Sequence, residues 1–188
     1  MKKFLQVLLL AAVSQGFAQD QAAMEKAWAE YMAPGKIHAL LASETGTWDE
    51  EMTMWMMPGA APEKYTMTCE ISMIMGGRYQ QGIHRGTMMG MPFEGISTVG
   101  YNNASKKFES TWIDNMGTGF MFMRGNYDVK THQITFNGDM MDPMTKTAKK
   151  FREVYTMIDN DTRKMEMYDT DASGKEYKSM EILMKRRK

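Results

Sequence analysis

The stretch "TMTCEISM", residues 66–73, alternates between apolar and polar side chains. Met67, Cys69, Ile71 and Met73 point one way, and Thr66, Thr68, Glu70 and Ser72 point the other. A period of two with one apolar side marks an antiparallel strand that has one face in a core and one in water. Methionine favours helix by intrinsic propensity, but that preference is weak and the alternation outweighs it.

Working outward from this strand, turn signals recur at hairpin spacing. They are Pro58-Gly59, Gly76-Gly77, Gly90 to Pro92, Asn102-Asn103, Asn115 to Gly117, Asp128 to Thr131, Asp142-Pro143, Asp159 to Asp161 and Asp171 to Gly174. They divide the chain into ten strands, at 46–57, 63–75, 78–88, 93–101, 106–114, 118–127, 132–139, 147–158, 162–170 and 175–186. An open antiparallel sheet of that size would leave aggregation-prone edges. Closure removes them, and connections this short fit a meander better than Greek-key crossovers. The expected fold is therefore all-β: a closed antiparallel up-and-down barrel of about ten strands over residues 46–188.

Ahead of the barrel, residues 19–45 read as a short helical segment. Asp20 stands where a helix cap is expected, and Met24, Ala27, Trp28, Tyr31 and Met32 follow the spacing of one helical face. Pro34 and Gly35 end that helix, and Ile37, Leu40 and Leu41 belong to a second. Residues 1–18 have the form of a signal peptide. Lys2 and Lys3 precede the apolar run Phe4 to Val13, and the small residues Gly16 and Ala18 stand before the expected cut. The run is shorter than the ~20 residues a spanning helix needs. Export to the periplasm or the medium is expected, with no integral membrane span.

Without Lys2 and Lys3 the chain has 21 basic and 23 acidic residues, a balance that argues against nucleic acid as a partner. Cys69 is the only cysteine, so no intrachain disulfide forms; its place on an apolar face suggests a buried, inert thiol. His38, His84 and His132 have no zinc-ligand spacing. Glu50 and Glu51 open the first strand on opposite faces and cannot act as a carboxylate pair. No nucleophile elbow or phosphate loop is present, so an enzyme is not the favoured reading and no cofactor is expected.

The start of the first strand, Gly46-Thr47-Trp48, resembles the glycine-x-tryptophan signature of lipocalins and other calycins. That resemblance implies that Trp48 plugs one end of the barrel, with a late basic residue stacked on it; Arg152, Lys185 and Arg186 are the candidates. The longer stretches "GTMMGMPFEG", "GYNN" and "STWIDNMGTG" are similar to an uncharacterised, mostly bacterial family, the domain of unknown function numbered 1579. This similarity covers nearly all of the mature chain. It implies a calycin-like barrel and no established activity.

Methionine is the compositional anomaly. The chain has 24, while Leu40, Leu41 and Leu183 are the only leucines after the leader. Thioethers fill gaps without demanding one packing arrangement, so much of this methionine replaces ordinary core residues. In a meander, alternate turns lie at alternate ends. The first, third, fifth and seventh turns carry Met57, Met89, Met116 and Met141 and would gather at the end opposite Trp48. The even turns, "GG", "NN", "DVKT" and "DND", would carry none.

Four readings fit such a rim: packing, an apolar entrance to a ligand cavity, Cu(I) capture by soft sulfur ligands, and sacrificial oxidation. The favoured one is a barrel binding a small apolar or amphipathic molecule. Its candidate site residues are Met54, Met56, Met88, Met89, Met91, Met116 and Met141, with Trp112, Asp114 and Asn115 as the polar groups. The alternative is a methionine-based Cu(I) protein of the cell envelope. Oligomeric state is not encoded in any motif.

Overall fold

The computed structural model describes residues 20–171 and 173–188. The expected signal peptide therefore lies outside the described residues. The described residues form two compact units, one including 20–33 with 103–105, the other 34–102 with 106–188. In the first, helix α1 covers residues 20–32, and Asn103 donates from its amide to the carbonyls of Glu30, Tyr31 and Ala33. Those carbonyls end the helix without partners in the next turn, so the amide supplies a C-terminal cap. Asp20 is already helical and does not cap. The apolar face read from the sequence is exposed at Met24, Trp28, Tyr31 and Met32.

The second unit begins with helix α2, Lys36–Ala42, and continues as β1 Gly46–Met54, β2 Glu63–Ile74, β3 Tyr79–Met88, β4 Met91–Asn102 and β5 Lys107–Asp114. It ends with β6 Met121–Asp128, β7 Gln133–Met141, β8 Ala148–Met157, β9 Thr162–Thr170 and β10 Glu176–Arg186. Each strand pairs antiparallel with its sequence neighbour, and β1 pairs with β10, closing a ten-strand up-and-down barrel. No edge remains to recruit another chain. The alternation in 66–73 holds: Met67, Cys69 and Ile71 are buried, while Thr66, Glu70 and Ser72 are exposed.

Trp48 is fully buried. Its indole N–H donates to the Glu44 carbonyl at 2.9 Å, and the Arg186 guanidinium lies 4.3 Å from its ring centroid. Of the three basic candidates Arg186 is thus the stacking residue; Arg152 lies instead over Tyr168, at 3.9 Å. A second cation, Arg163, is 5.2 Å from the Trp48 ring and pairs with the Glu44 carboxylate at 2.6 Å. Glu44 also accepts from Gln80 at 3.1 Å and from the Tyr155 hydroxyl at 3.1 Å. Glu44 lies two residues past the end of α2, so one buried carboxylate ties the chain after this helix to β3, β8 and β9.

Several strand ends differ from those expected. The β1 ladder stops at Met54; the Trp55 N–H still bonds to the Ser179 carbonyl at 2.9 Å, and the chain then turns at Pro58 and Gly59, whose φ is 77°. The strand β4 begins early, at Met91, because the β3–β4 turn is only Met89-Gly90, with φ of 53° and 76°. Two positive φ values in a two-residue loop match the twist of the flanking strands. Pro92 therefore belongs to the strand, opposite Thr87, and not to the turn. Near a strand start its missing N–H is tolerated.

Candidate functional site

Because every neighbouring pair is antiparallel, the turns after β1, β3, β5, β7 and β9 all fall at the end remote from Trp48. Met56, Met57, Met89 and Met116 lie in those turns, Met91 begins β4, and Met141 closes β7 at the same end. All six are exposed. The other end is not free of methionine. The β2 ladder stops at Ile74, so Met75 enters the β2–β3 turn with a φ of 50° and is 71% exposed.

Inside the barrel is a cavity of about 310 Å³. Its wall runs from Leu41 and Glu44 beside the Trp48 plug to Met54, Met88, Asp114 and Met116 at the opposite end. Thioethers dominate it. Met52 and Met54 of β1, Met67, Met88, Met121, Met123, Met140, Met165, Met167, Met180 and Met184 join Met116, so twelve of the 24 methionines line the interior. Of the residues singled out from the sequence, Met54, Met88, Met116, Trp112 and Asp114 reach this wall. Met56, Met89, Met91, Met141 and Asn115 are not part of it. Asn115 instead fastens its turn to β4, accepting from the Glu94 N–H at 3.1 Å and donating to the Pro92 carbonyl at 2.9 Å.

A group that sequence spacing concealed stands on the wall between β1 and β4. Glu50 and Cys69 are buried and His84 nearly so. The His84 Nδ1 is 3.1 Å from both Glu50 carboxylate oxygens; its Nε2 is 3.5 Å from Cys69 Sγ and 3.3 Å from Ser97 Oγ. The register explains the meeting. Cys69 is directly opposite His84 across β2 and β3, and Gly82 is opposite Ser97 across β3 and β4. A Cβ on Gly82 would come within 2.6 Å of Ser97 Oγ and 3.1 Å of His84 Nε2, so glycine there leaves room for the cluster. Gly95 does the same for Trp112, whose ring would lie 2.5 Å from an added Cβ. That indole packs edge-on against His84 at 5.0 Å and donates to Asp114 at 2.7 Å.

Carboxylate, imidazole and thiol in this order form the relay of a nucleophilic cysteine site, and their ligand atoms lie within 4.8 Å of one another, inside metal-binding reach. Burial, followed by the nearby Glu50 carboxylate, pushes the Cys69 thiol well up and holds it protonated. A protonated thiol is a poor nucleophile. The cluster as folded is a satisfied polar network, with the imidazole bridging an acid on one side and two hydrogen-bonding groups on the other. The other histidines stand apart: His38 Nδ1 accepts from the Gly35 N–H at 3.0 Å, and His132 Nδ1 is 3.3 Å from the Tyr127 hydroxyl.

One further acid faces the cavity. Glu153 of β8 lies opposite Phe136 on β7 and Met167 on β9. Burial alone raises its carboxyl from 4.5 to about 7. The sequence reading passed over it because a glutamate in a half-buried strand is normally assigned to the wet face.

Comparison with known proteins agrees with this architecture. The family described as "Protein of unknown function (DUF1579)" matches residues 33–186. Among solved structures, Rv2717c from M. tuberculosis is similar, with a TM-score of 0.59 and 15% identity, over 83% of this chain and 100% of that one. At that identity the likeness concerns the fold. No curated protein matches the chain.

Proposed function

The chain belongs to the DUF1579 family, proteins of unknown function, and we propose that it is an exported carrier that binds a small apolar or amphipathic molecule inside its barrel. The observation that carries this reading is the cavity of about 310 Å³, walled by thioethers and aromatic rings with a few polar groups among them. That volume is at the lower end of small-molecule sites, and an apolar wall with sparse polar groups is their usual composition. Flexible methionine adapts its shape to the occupant, as at other permissive binding surfaces. Met54, Met88 and Met116 line the way in, and the exposed Met56, Met89, Met91 and Met141 surround it as an apolar rim.

Native mass spectrometry of protein purified from its own host tests this directly. A retained small molecule is expected, and a neutral apolar fluorophore should bind the emptied protein saturably at one site. Protein that retains nothing and takes up no probe would refute the carrier reading.

The density of sulfur at the remote end favours one second reading, Cu(I) capture, since thioethers are soft ligands suited to that ion. Replacing Met88, Met89 and Met91 by leucine separates the two. Volume and apolarity are nearly conserved, so uptake of the apolar probe should persist. Cu(I) affinity measured against a competing chelator should collapse if copper is the cargo, and an unchanged affinity, or none in the parent protein, would remove that reading.

A further inference from the structure

Four carboxyl groups reach the cavity wall, and three of them are already engaged. Glu44 is paired with Arg163, Glu50 with His84, and Asp114 accepts from the Trp112 indole and the Met116 N–H. Glu153 alone has no hydrogen bond or ion pair among the described residues. Its same-face neighbours along and across the strands are apolar or aromatic. Phe136 and Met167 stand opposite it on the adjoining strands, and Phe151 and Tyr155 flank it on the inward face of β8. An acid in such a place costs stability, and a neutral side chain of equal volume would fill it better.

Among the described residues this wall has no lysine or arginine; besides the four acids, its titratable groups are His84, Cys69 and Tyr155. The interior thus offers one free acid and no free cation among the described residues. A fatty acid would bring a second carboxylate to an acidic wall with nothing to neutralise it.

Resting on the carrier reading above, we propose that the occupant is an amine with an apolar body, whose ammonium group pairs with the Glu153 carboxylate while its body lies among the thioethers. The ammonium supplies the hydrogen bonds and the charge that the wall withholds from Glu153. Charge-assisted bonds of this kind, away from water, are the strong ones. The enclosed acid stands at about 7 when the cavity is empty. Pairing stabilises its ionised form, so an ammonium that binds near neutral pH expels the proton that Glu153 held.

Three eight-carbon probes of matched length test the inference: octylammonium, octanol and octanoate, each competing with a neutral fluorophore for the full mature protein in phosphate buffer at pH 8. Octylammonium should bind at least about tenfold more tightly than octanol, and octanoate more weakly than either. In Glu153→Gln the ratio of amine to alcohol affinity should fall to about one. Calorimetry of the unsubstituted protein in two amine-free buffers at pH 7 should show about half a proton released per amine bound and none with alcohol. Equal affinities for amine and alcohol, tighter binding of octanoate, or a preference that survives in Glu153→Gln would overturn the amine assignment and leave the carrier reading standing. Failure of all three probes to bind would overturn both.

Discussion

Replacing Glu153 by glutamine should stabilise the empty protein above neutral pH and leave it unchanged in acid. The folded carboxyl titrates near 7, against 4.5 for the group in water, because burial opposes its charge. Between those values the unfolded chain has released its proton while the folded chain still holds it. The folded state therefore binds more protons, and its stability falls as pH rises through that window. Below about 4.5 both states are protonated and Glu153 carries no penalty; above about 7 the full penalty is present. The gap corresponds to about 3 kcal/mol. Glutamine keeps the volume and never ionises, so the variant's advantage should grow from near zero at pH 4 to about 3 kcal/mol at pH 8. For a chain of this length that is a rise in melting temperature of about 6–12 °C. Urea denaturation followed by tryptophan fluorescence, in buffers free of amines, reads the difference directly. An advantage independent of pH, or a variant less stable than the parent at pH 8, would refute the placement of an uncompensated acid in the interior.

Arg163→Met leaves the buried Glu44 carboxylate without its cation, and should lower unfolding stability by about 3–5 kcal/mol. Adding Glu44→Gln should recover part of that loss, whereas a single-variant loss below about 1 kcal/mol would show that this pair does not staple the Trp48 end. Cys69, held protonated by burial, should resist a thiol-specific reagent in the native protein and react only as the chain unfolds; rapid stoichiometric labelling under native conditions would contradict its environment. In the envelope fraction of its host the mature protein should begin at Gln19, and N-terminal sequencing that found Met1 intact would remove the expectation of export.

The barrel was legible because closure depends on what a strand's sequence displays, namely period two and short turns. Gly46 to Trp48, the alternation at 66–73 and the succession of Gly, Asn, Asp and Pro turns fixed ten strands to within a few residues. Some ends were misplaced where a turn was tighter than its residues suggested, as at Met89-Gly90, or where a methionine passed for strand, as at Met75. The interior chemistry was harder to read, for a physical reason. An alternation test assigns polar residues to water, yet β3 turns Gln80, His84 and Met88 to the cavity, while Ile83 stands on the opposite face. Parity would have found part of the site. Glu50 is two residues from Trp48 and must share its face, and Cys69 pairs with both Trp48 and His84 across the ladders. What parity could not supply is which inward acid finds a partner, since that depends on residues distant in the chain. Arg163 lies 119 positions from the Glu44 it neutralises, and among the described residues no hydrogen bond or ion pair reaches Glu153. On the carrier proposal, selectivity would rest less on the methionines, which give a pliable wall to almost any apolar guest, than on Glu153, the one wall carboxyl left without a partner among the described residues.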